Sequence, residues 1–356
     1  MSILFIGKRF YTNRDAYTEK FGRIYQLPYH WSKEIPTKLW LIDYHNKDKI
    51  SDTDEDLEIV STPIFSFLFI MIFLKTIIIH RPKTIVVSGD CYIGLLGYIA
   101  SKLCSSKFIF DVYDKYDTFS GYKNLGFKNL YQFLLQKADV CFFASKKLKE
   151  NSEKICKKTM LVLNGVDTNH FYPRDINHSR EYFYLDKLHI YVGYFGSMEL
   201  ERGIDDLISA VELLHRENKN IYILLAGKKR DDLNLNHSFI HYLGNLPFNT
   251  VPIAMACCNL LVLPYRNSPF LDNASSCKIG EYIAMDIPIL MTNANSIIFN
   301  VHLNEIDQKN IAKHSNPLDL KYKIKFILNK KIYKNNFRYL NWITISSNAI
   351  YFLKNS

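Results

Sequence analysis

Hydrophobic and polar positions along the chain alternate between two grammars, short apolar runs and stretches with helical period. The short runs predict strands at Ile3–Ile6, Leu39–Asp43, Thr84–Ser88, Phe108–Val112, Val140–Ala144 and Met160–Leu163. Between them, helical stretches are predicted over Ala16–Leu27, Pro63–Ile79, Ile93–Leu103, Lys128–Lys137 and Lys146–Lys154. A turn signal follows at Asn164-Gly165-Val166-Asp167, and Phe171-Tyr172-Pro173 closes this half. The polar stretch Arg174–Lys187 has little periodicity and reads as a linker. Beyond it the alternation restarts, with strands at Ile190–Phe195, Ile221–Ala226, Asn259–Pro264 and Pro288–Thr292 and helices starting near Gly203, Asn249 and Cys277. Alternation of this kind predicts parallel, doubly wound sheets. The expected architecture is α/β, two Rossmann-like domains facing across a cleft at the carboxyl ends of their strands. Their expected bounds are 1–173 and 188–338. A last amphipathic helix, Leu340–Leu353 with Trp342, lies in a 339–356 segment expected to pack back on the first domain.

One segment carries chemistry on its face. Strand Ile190–Phe195 runs into Gly196, a polar loop and the pair Arg202-Gly203. A helix follows, with Ile204, Leu207, Ile208, Val211 and Leu214 on one side. A cation and free backbone N–H groups at a helix start suit a bound phosphate, although an ordinary strand–turn–helix connection has the same outline. A second segment has the same form. Strand Leu261–Tyr265 ends in the polar loop Arg266–Ser276, and the next helix puts Lys278 and Glu281 three residues apart on its first turn. They are either a surface ion pair or part of a binding loop at a strand end.

Composition narrows the setting. At 356 residues with 48% hydrophobic content, two cores are affordable in apolar surface. Seven scattered cysteines, none at Cys-x-x-Cys spacing, read as buried thiols in a reducing cytosol rather than as a zinc or disulfide framework. Met1 leads directly into the first strand, so a cytoplasmic location is expected, with the cytoplasmic face of a membrane as a variant. The run Phe65–Ile79 is too short for a membrane span and reads as a buried helix, with monotopic membrane contact as its other use. A net charge of +10 sits partly in Lys146–Lys158 and Lys321–Arg338. The second patch interleaves aromatic residues in the manner of a nucleic-acid surface, but its apolar positions fit a solvated helix better. Anionic lipid is a further partner for such charge, and no nucleic-acid partner is expected. Asp52-Thr53-Asp54 within Asp52–Asp56 has the Asp-x-Asp form of a divalent-metal site. It follows no buried strand, reads as a solvated loop, and no metal or other cofactor is expected.

Gly196…Arg202-Gly203, Pro264-Tyr265…Lys278-x-x-Glu281-Tyr282…Pro288, Asn164-Gly165-Val166-Asp167…Phe171-x-Pro173 and Gly244-Asn245-Leu246-Pro247 stand in an order that resembles the retaining glycosyltransferases of the GT-B fold, family 4 type. The resemblance spans most of the chain and is strongest from Asn164 to Thr292. It implies a nucleotide-diphosphate sugar as co-substrate and a hydroxyl of a saccharide or lipid-linked saccharide as acceptor, with surface polysaccharide or glycoconjugate synthesis as the setting. It places Arg202 beside the donor diphosphate, Gly196 at the preceding strand end, and Glu281 on the ribose hydroxyls. Gly244, Asn245 and Leu246 fall on the base-recognition loop, and the backbone of Ala274, Ser275 and Ser276 on the sugar and phosphates. Ser197 stands where many members carry a basic residue, and Asn273 where many carry a glutamate against the transferred sugar; an amide can hydrogen-bond a hydroxyl there without charge. In the first domain, Gly7 and Lys8 would face the cleft. Asp114, then Asp111, would contact the reacting sugar or the acceptor, with simple loop capping as the alternative for both acids. In such enzymes the departing phosphate helps take the acceptor proton, so the protein positions the reactants and stabilises charge. An epimerase or hydrolase on the same fold, or a basic binder without activity, are the alternative readings.

Overall fold

The computed structural model describes residues 2–11, 14–45, 49–118, 129–300, 308–329 and 340–355. Two compact units emerge. The first takes the chain up to Gly165 together with Asn273–Ser275 and Trp342–Ser356, and the second holds Val166–Asp272 and Ser276–Asn341.

The first unit is built on β1 (Ile3–Lys8), a small antiparallel pair β2 (Phe10–Tyr11) and β3 (Arg14–Asp15), then β4 (Thr37–Asp43), β5 (Ile50–Asp54), β6 (Leu57–Pro63), β7 (Thr84–Ser88), β8 (Lys107–Val112), β9 (Val140–Phe143) and β10 (Thr159–Leu161). Its main sheet runs β10-β9-β8-β7-β1-β4-β6-β5, parallel except for the edge strand β5. Both faces are covered, which explains the unbroken apolar runs. Ile3 and Phe5 of β1 and Leu39 and Leu41 of β4 point into one core layer. Leu4, Ile6, Trp40 and Ile42 point into the other. The helix Trp342–Asn355 completes the first layer with Trp342, Ile345, Ala349, Ile350 and Leu353, and Trp31 Nε1 donates to the Ser346 carbonyl at 3.0 Å.

The second unit has β11 (Ile190–Phe195), β12 (Ile221–Ala226), β13 (Ile240–Tyr242), β14 (Leu260–Leu263), β15 (Ile289–Thr292) and β16 (Ile311–Ala312) in the order β13-β12-β11-β14-β15-β16, all parallel. In each sheet one strand, β1 or β11, is flanked by neighbours reached in opposite directions. The carboxyl ends of those strands are the switch points where ligands of such sheets bind.

Several expectations are corrected. The stretch read as a linker contains the helix Ile176–Tyr182, and its buried Arg180 donates to the Cys257 and Lys187 carbonyls and to Asn259 Oδ1. The helix expected from Ala16 starts at Gly22, since Lys20 adopts a left-handed conformation at φ +49°. Asp52–Asp54 is no loop but part of edge strand β5, and its acids are bonded by neighbours: Tyr17 Oη to Asp52 at 2.6 Å, Lys20 Nζ to Asp54 at 2.8 Å, and Tyr25 Oη to Asp54. The run Phe65–Ile79 is a helix over Phe67–Lys75 continued by a π-helical turn, Thr76–His80, but the helix itself buries no residue. No described helix is long and apolar enough to cross a membrane.

The basic segment Lys321–Arg338 is described only as far as residue 329. There the helix Pro317–Leu328 buries Leu320, Ile324 and Ile327, and Lys321 and Lys325 both reach Glu217. Tyr333, Phe337 and Tyr339 lie outside the described residues. None of the seven cysteines, all among the described residues, is in a disulfide.

Candidate functional site

The second unit gathers its candidate residues at the carboxyl ends of β11, β12 and β14. The last N–H of β11, on Phe195, donates to Tyr282 Oη at 2.8 Å, tying that strand end to the helix Cys277–Ala284. Gly196 follows, close enough to Lys278 that a Cβ there would sit 3.1 Å from Lys278 Cε. Lys278 Nζ in turn meets Glu281 Oε2 at 2.9 Å. Glu281 is 5% exposed, while Lys278 is half-buried. Among the described residues Glu281 Oε1 takes no hydrogen bond. A buried carboxylate with one oxygen on a lysine and the other open is equipped to accept two hydroxyl protons from a ligand.

The loop after Gly196 is held in shape from several sides. Tyr194 Oη donates to the Ser197 carbonyl at 2.7 Å. Met198 N–H donates to Lys228 O and Arg266 N–H to Glu201 O. The loop ends in a 3₁₀ turn, Leu200–Arg202, and Gly203 opens the helix Ile204–Glu217 at φ +68°. A Cβ on Gly203 would lie 1.9 Å from the Pro264 carbonyl, so only glycine lets the loop lie this close to the end of β14. Arg202 sits 4.7 Å above the Tyr265 ring. Burial opposes the guanidinium charge, but the Tyr265 and Tyr194 phenols more than offset it and raise the pKa, so Arg202 is a fixed cation. Tyr265 Oη also pairs with Ser276 Oγ at 3.1 Å, which carries the contact from Arg202 to the start of the Lys278 helix. The acids of the first helical turn are matched by their own arginines. Asp206 takes Arg266 bidentately at 2.7 Å, and Asp205 takes Arg230 at 2.5 Å.

Gly244 reaches the same cluster through the backbone, accepting from Gly227 N–H at 2.8 Å. Gly227, at φ +125°, packs so tightly that a Cβ would meet the Gly196 carbonyl at 2.1 Å. Asn245 is exposed and Leu246 half-buried beside it. Gly196, Ser197, Arg202, Gly203, Gly244, Ser276, Lys278 and Glu281 are therefore linked, directly or through one neighbour. Sequence reasoning left out Gly227 and the roles of Tyr194, Tyr265 and Tyr282. A glycine directly after the apolar strand Leu224-Leu225-Ala226 was the available signal for Gly227.

Asn273, Ala274 and Ser275 group instead with the first unit. Ser145 Oγ donates to Asn273 O at 2.8 Å, Asn151 Nδ2 to Asn273 Oδ1 at 3.2 Å, and Asn164 Nδ2 to Ser275 O at 2.9 Å. Asn164 Oδ1 accepts from Arg23, whose guanidinium also holds the Val162 carbonyl and both oxygens of Asp111, at 2.6 and 2.9 Å. Ser88 Oγ adds a third bond to Asp111 at 2.6 Å.

The first-domain expectations change accordingly. Asp111 is fully buried with both oxygens engaged, so it is a structural anchor and not a contact for sugar or acceptor. Gly7 lies inside β1, and a Cβ there would strike Ile24 Cγ2 at 2.4 Å. Glycine at this position admits the Gly22–Ser32 helix. Lys8 ends that strand, 4.0 Å from Asp90 and over the Tyr44 ring. Asp114 is half-buried just beyond β8; burial raises its pKa, against the bond it accepts from Lys115 N–H.

Residues 189–330 match the model of the family described as Glycosyl transferases group 1. The fold of the whole chain is similar to sucrose-phosphate synthase from Thermosynechococcus elongatus, at 13% identity and a TM-score of 0.73, covering 100% of this chain and 99% of that one. It is similar to Anabaena HepE, solved in complex with UDP, at 14% identity and a TM-score of 0.70 with 100% of each chain covered. Similarity to α,α-trehalose 6-phosphate synthase from Burkholderia multivorans is at 8% identity and a TM-score of 0.64, covering 99% and 96%. No curated protein sequence matches the chain significantly. The fold is GT-B. With the group 1 match over the segment that carries the Arg202–Lys278–Glu281 cluster, the chain is a glycosyltransferase.

Proposed function

We propose that the protein moves a sugar from a nucleoside diphosphate sugar to a hydroxyl of a saccharide or lipid-linked saccharide, with retention of anomeric configuration and without a metal. The observation that carries this reading is the half-engaged carboxylate of Glu281 beside Gly196 and Lys278. Glu281 accepts the two ribose hydroxyls. Lys278 and Arg202 meet the diphosphate, and the Gly244–Leu246 turn borders the base. Charge that builds on the leaving diphosphate is then stabilised by cations already fixed in place, Arg202 by its seat on Tyr265 and Lys278 by Glu281. Ser197 adds no third cation, and Asn273 offers the sugar an uncharged amide. Asp114, half-buried just beyond β8, is suited to hydrogen-bonding a sugar or acceptor oxygen. The departing phosphate takes the acceptor proton, so the chain itself needs no strong base. HepE structures are described in complex with UDP and with UDP-glucose, which makes uridine nucleotides the first to try.

The test is a thermal-shift screen with uridine and guanosine diphosphate sugars, followed by NMR of the product formed with a chelator present. A stabilising sugar nucleotide and a product of unchanged anomeric configuration are expected. No stabilisation by any sugar nucleotide would overturn the donor assignment. An inverted product would overturn retention, and loss of turnover with the chelator would overturn metal independence.

A further inference from the structure

The helix that was expected to be buried has two apolar faces. Phe69, Ile72 and Phe73 pack against the core, with the Phe69 ring 5.3 Å from Trp40. The opposite stripe, Phe67, Ile70, Met71, Leu74 and Ile78, recurs at helical spacing and stands in solvent, from 48% exposed at Leu74 to 76% at Phe67. Phe65, at 86%, precedes it. A surface helix of a water-soluble protein carries polar residues on that face, and a helix apolar all round wants an apolar environment on both sides. The neighbouring helix Cys91–Cys104 lies against the π-helical turn, with Cys104 Sγ near the Ile77 carbonyl, and adds exposed Ile99 and Leu103. The helix ends with Arg81 in a left-handed conformation at φ +38°, followed by Pro82, which stops it.

Charge around this face is mainly positive, and the nearby acids Glu58 and Asp139 are paired with Lys38 and Lys157. From Ile59 to Phe110 the cations are Lys75, Arg81, Lys83, Lys102 and Lys107, and the one acid is Asp90. That acid is turned inward, capping Tyr92 N–H and Ile93 N–H. Lys75, Arg81, Lys83 and Lys102 are exposed. A second copy of the chain would bring like charges together around a shared apolar centre. An anionic bilayer surface instead complements both features, acyl chains for the stripe and phosphates for the rim. From Phe67 to His80 the helix is about 20 Å long, too short to span the roughly 30 Å hydrocarbon core.

We propose that Phe67, Ile70, Met71, Leu74 and Ile78, with Ile99 and Leu103, form a docking face that lies in the headgroup layer of an anionic membrane. Lys75, Arg81, Lys83 and Lys102 sit on the lipid phosphates. The inference goes beyond sugar transfer and its test reads binding without turnover.

The full chain is floated with vesicles of phosphatidylcholine alone and of phosphatidylcholine mixed with phosphatidylglycerol. The expected result is flotation with the mixed vesicles, weaker at high salt, and about tenfold or greater loss of the bound fraction in Phe67→Ser/Met71→Gln/Leu74→Gln. Lys75→Glu/Arg81→Glu leaves the apolar face intact and loses the anionic preference. Thermal midpoint and sugar-nucleotide binding, measured separately, stay as in wild type, so a failed donor assignment leaves this result standing. Wild-type protein that stays in solution with both vesicle types would overturn the proposal, as would a triple variant that floats like wild type. A lipid-free dimer, seen by sedimentation velocity and broken by the triple variant, would overturn it in favour of a second copy.

Discussion

Asp111 and Glu281 are both buried carboxylates near the carboxyl ends of parallel strands, one in each unit, and the sequence offers both as site residues. Their surroundings separate them. Asp111 is closed: Arg23 takes both oxygens and Ser88 adds a further bond. Glu281 is half-open: Lys278 takes one oxygen, and the lysine is itself partly in solvent. A closed pair returns its desolvation cost only inside the fold, whereas an open one keeps capacity for a ligand. Position at a strand end nominates a residue, and the count of partners already satisfied assigns its work.

The largest expected effect is on the closed side. Arg23→Ala leaves Asp111 buried without its cation and costs about 3–5 kcal/mol, a fall in thermal midpoint on the order of ten degrees. Calorimetry that showed little or no shift would erase the distinction between the two acids. On the open side, Glu281→Ala is expected to keep the midpoint nearly unchanged and to lower kcat/KM by about a hundredfold or more. Near-normal kinetics would remove it from the site.

Arg202→Lys sharpens the comparison from the cation side. The charge survives, but the planar seat on Tyr265 and the fork of donors do not, so kcat should fall less than the roughly 10²–10³ expected for Arg202→Ala. Equal losses in the two variants would mean that geometry rather than charge is the whole contribution. The smallest effect concerns Asp114. Burial raises its folded-state pKa above the ordinary carboxylate value, so the folded chain holds this proton to higher pH than the unfolded chain does. Its contribution to stability is greatest in acid and is lost as pH rises from the ordinary carboxylate range through the folded value. Asp114→Asn should flatten that fall and slightly raise the midpoint at neutral pH, which a pH series of melts would show.

Much of the fold was legible because a sheet covered on both faces writes each central strand as an apolar run. β7, β11 and β12 fall where the pattern places them. β5 was not legible, since an edge strand with Ser51, Asp52, Thr53 and Asp54 reads as a solvated loop. The Ile176–Tyr182 helix was hidden because it is anchored by Arg180, a charged residue that sequence reasoning places in water. The exposed helix after Pro63 departs from the pattern for the opposite reason: its apolar residues stand in solvent, where an apolar run ordinarily signals burial. At the site, the order of Gly196, Arg202, Lys278 and Glu281 was visible. The closing of Asp111 by Arg23, 88 residues away in sequence, and the packing of Gly7 on Ile24 depend on long-range neighbours that no local pattern encodes.

The central claim is that the open oxygen of Glu281 receives ribose hydroxyls. Isothermal titration of the nucleoside diphosphate that binds best and of its 2′,3′-dideoxy analogue, against wild type and Glu281→Ala, measures that contact as a coupling. The account predicts that losing the hydroxyls weakens binding to wild type by about tenfold or more and leaves binding to the variant unchanged. An equal loss in both proteins, or no loss in wild type, would contradict it.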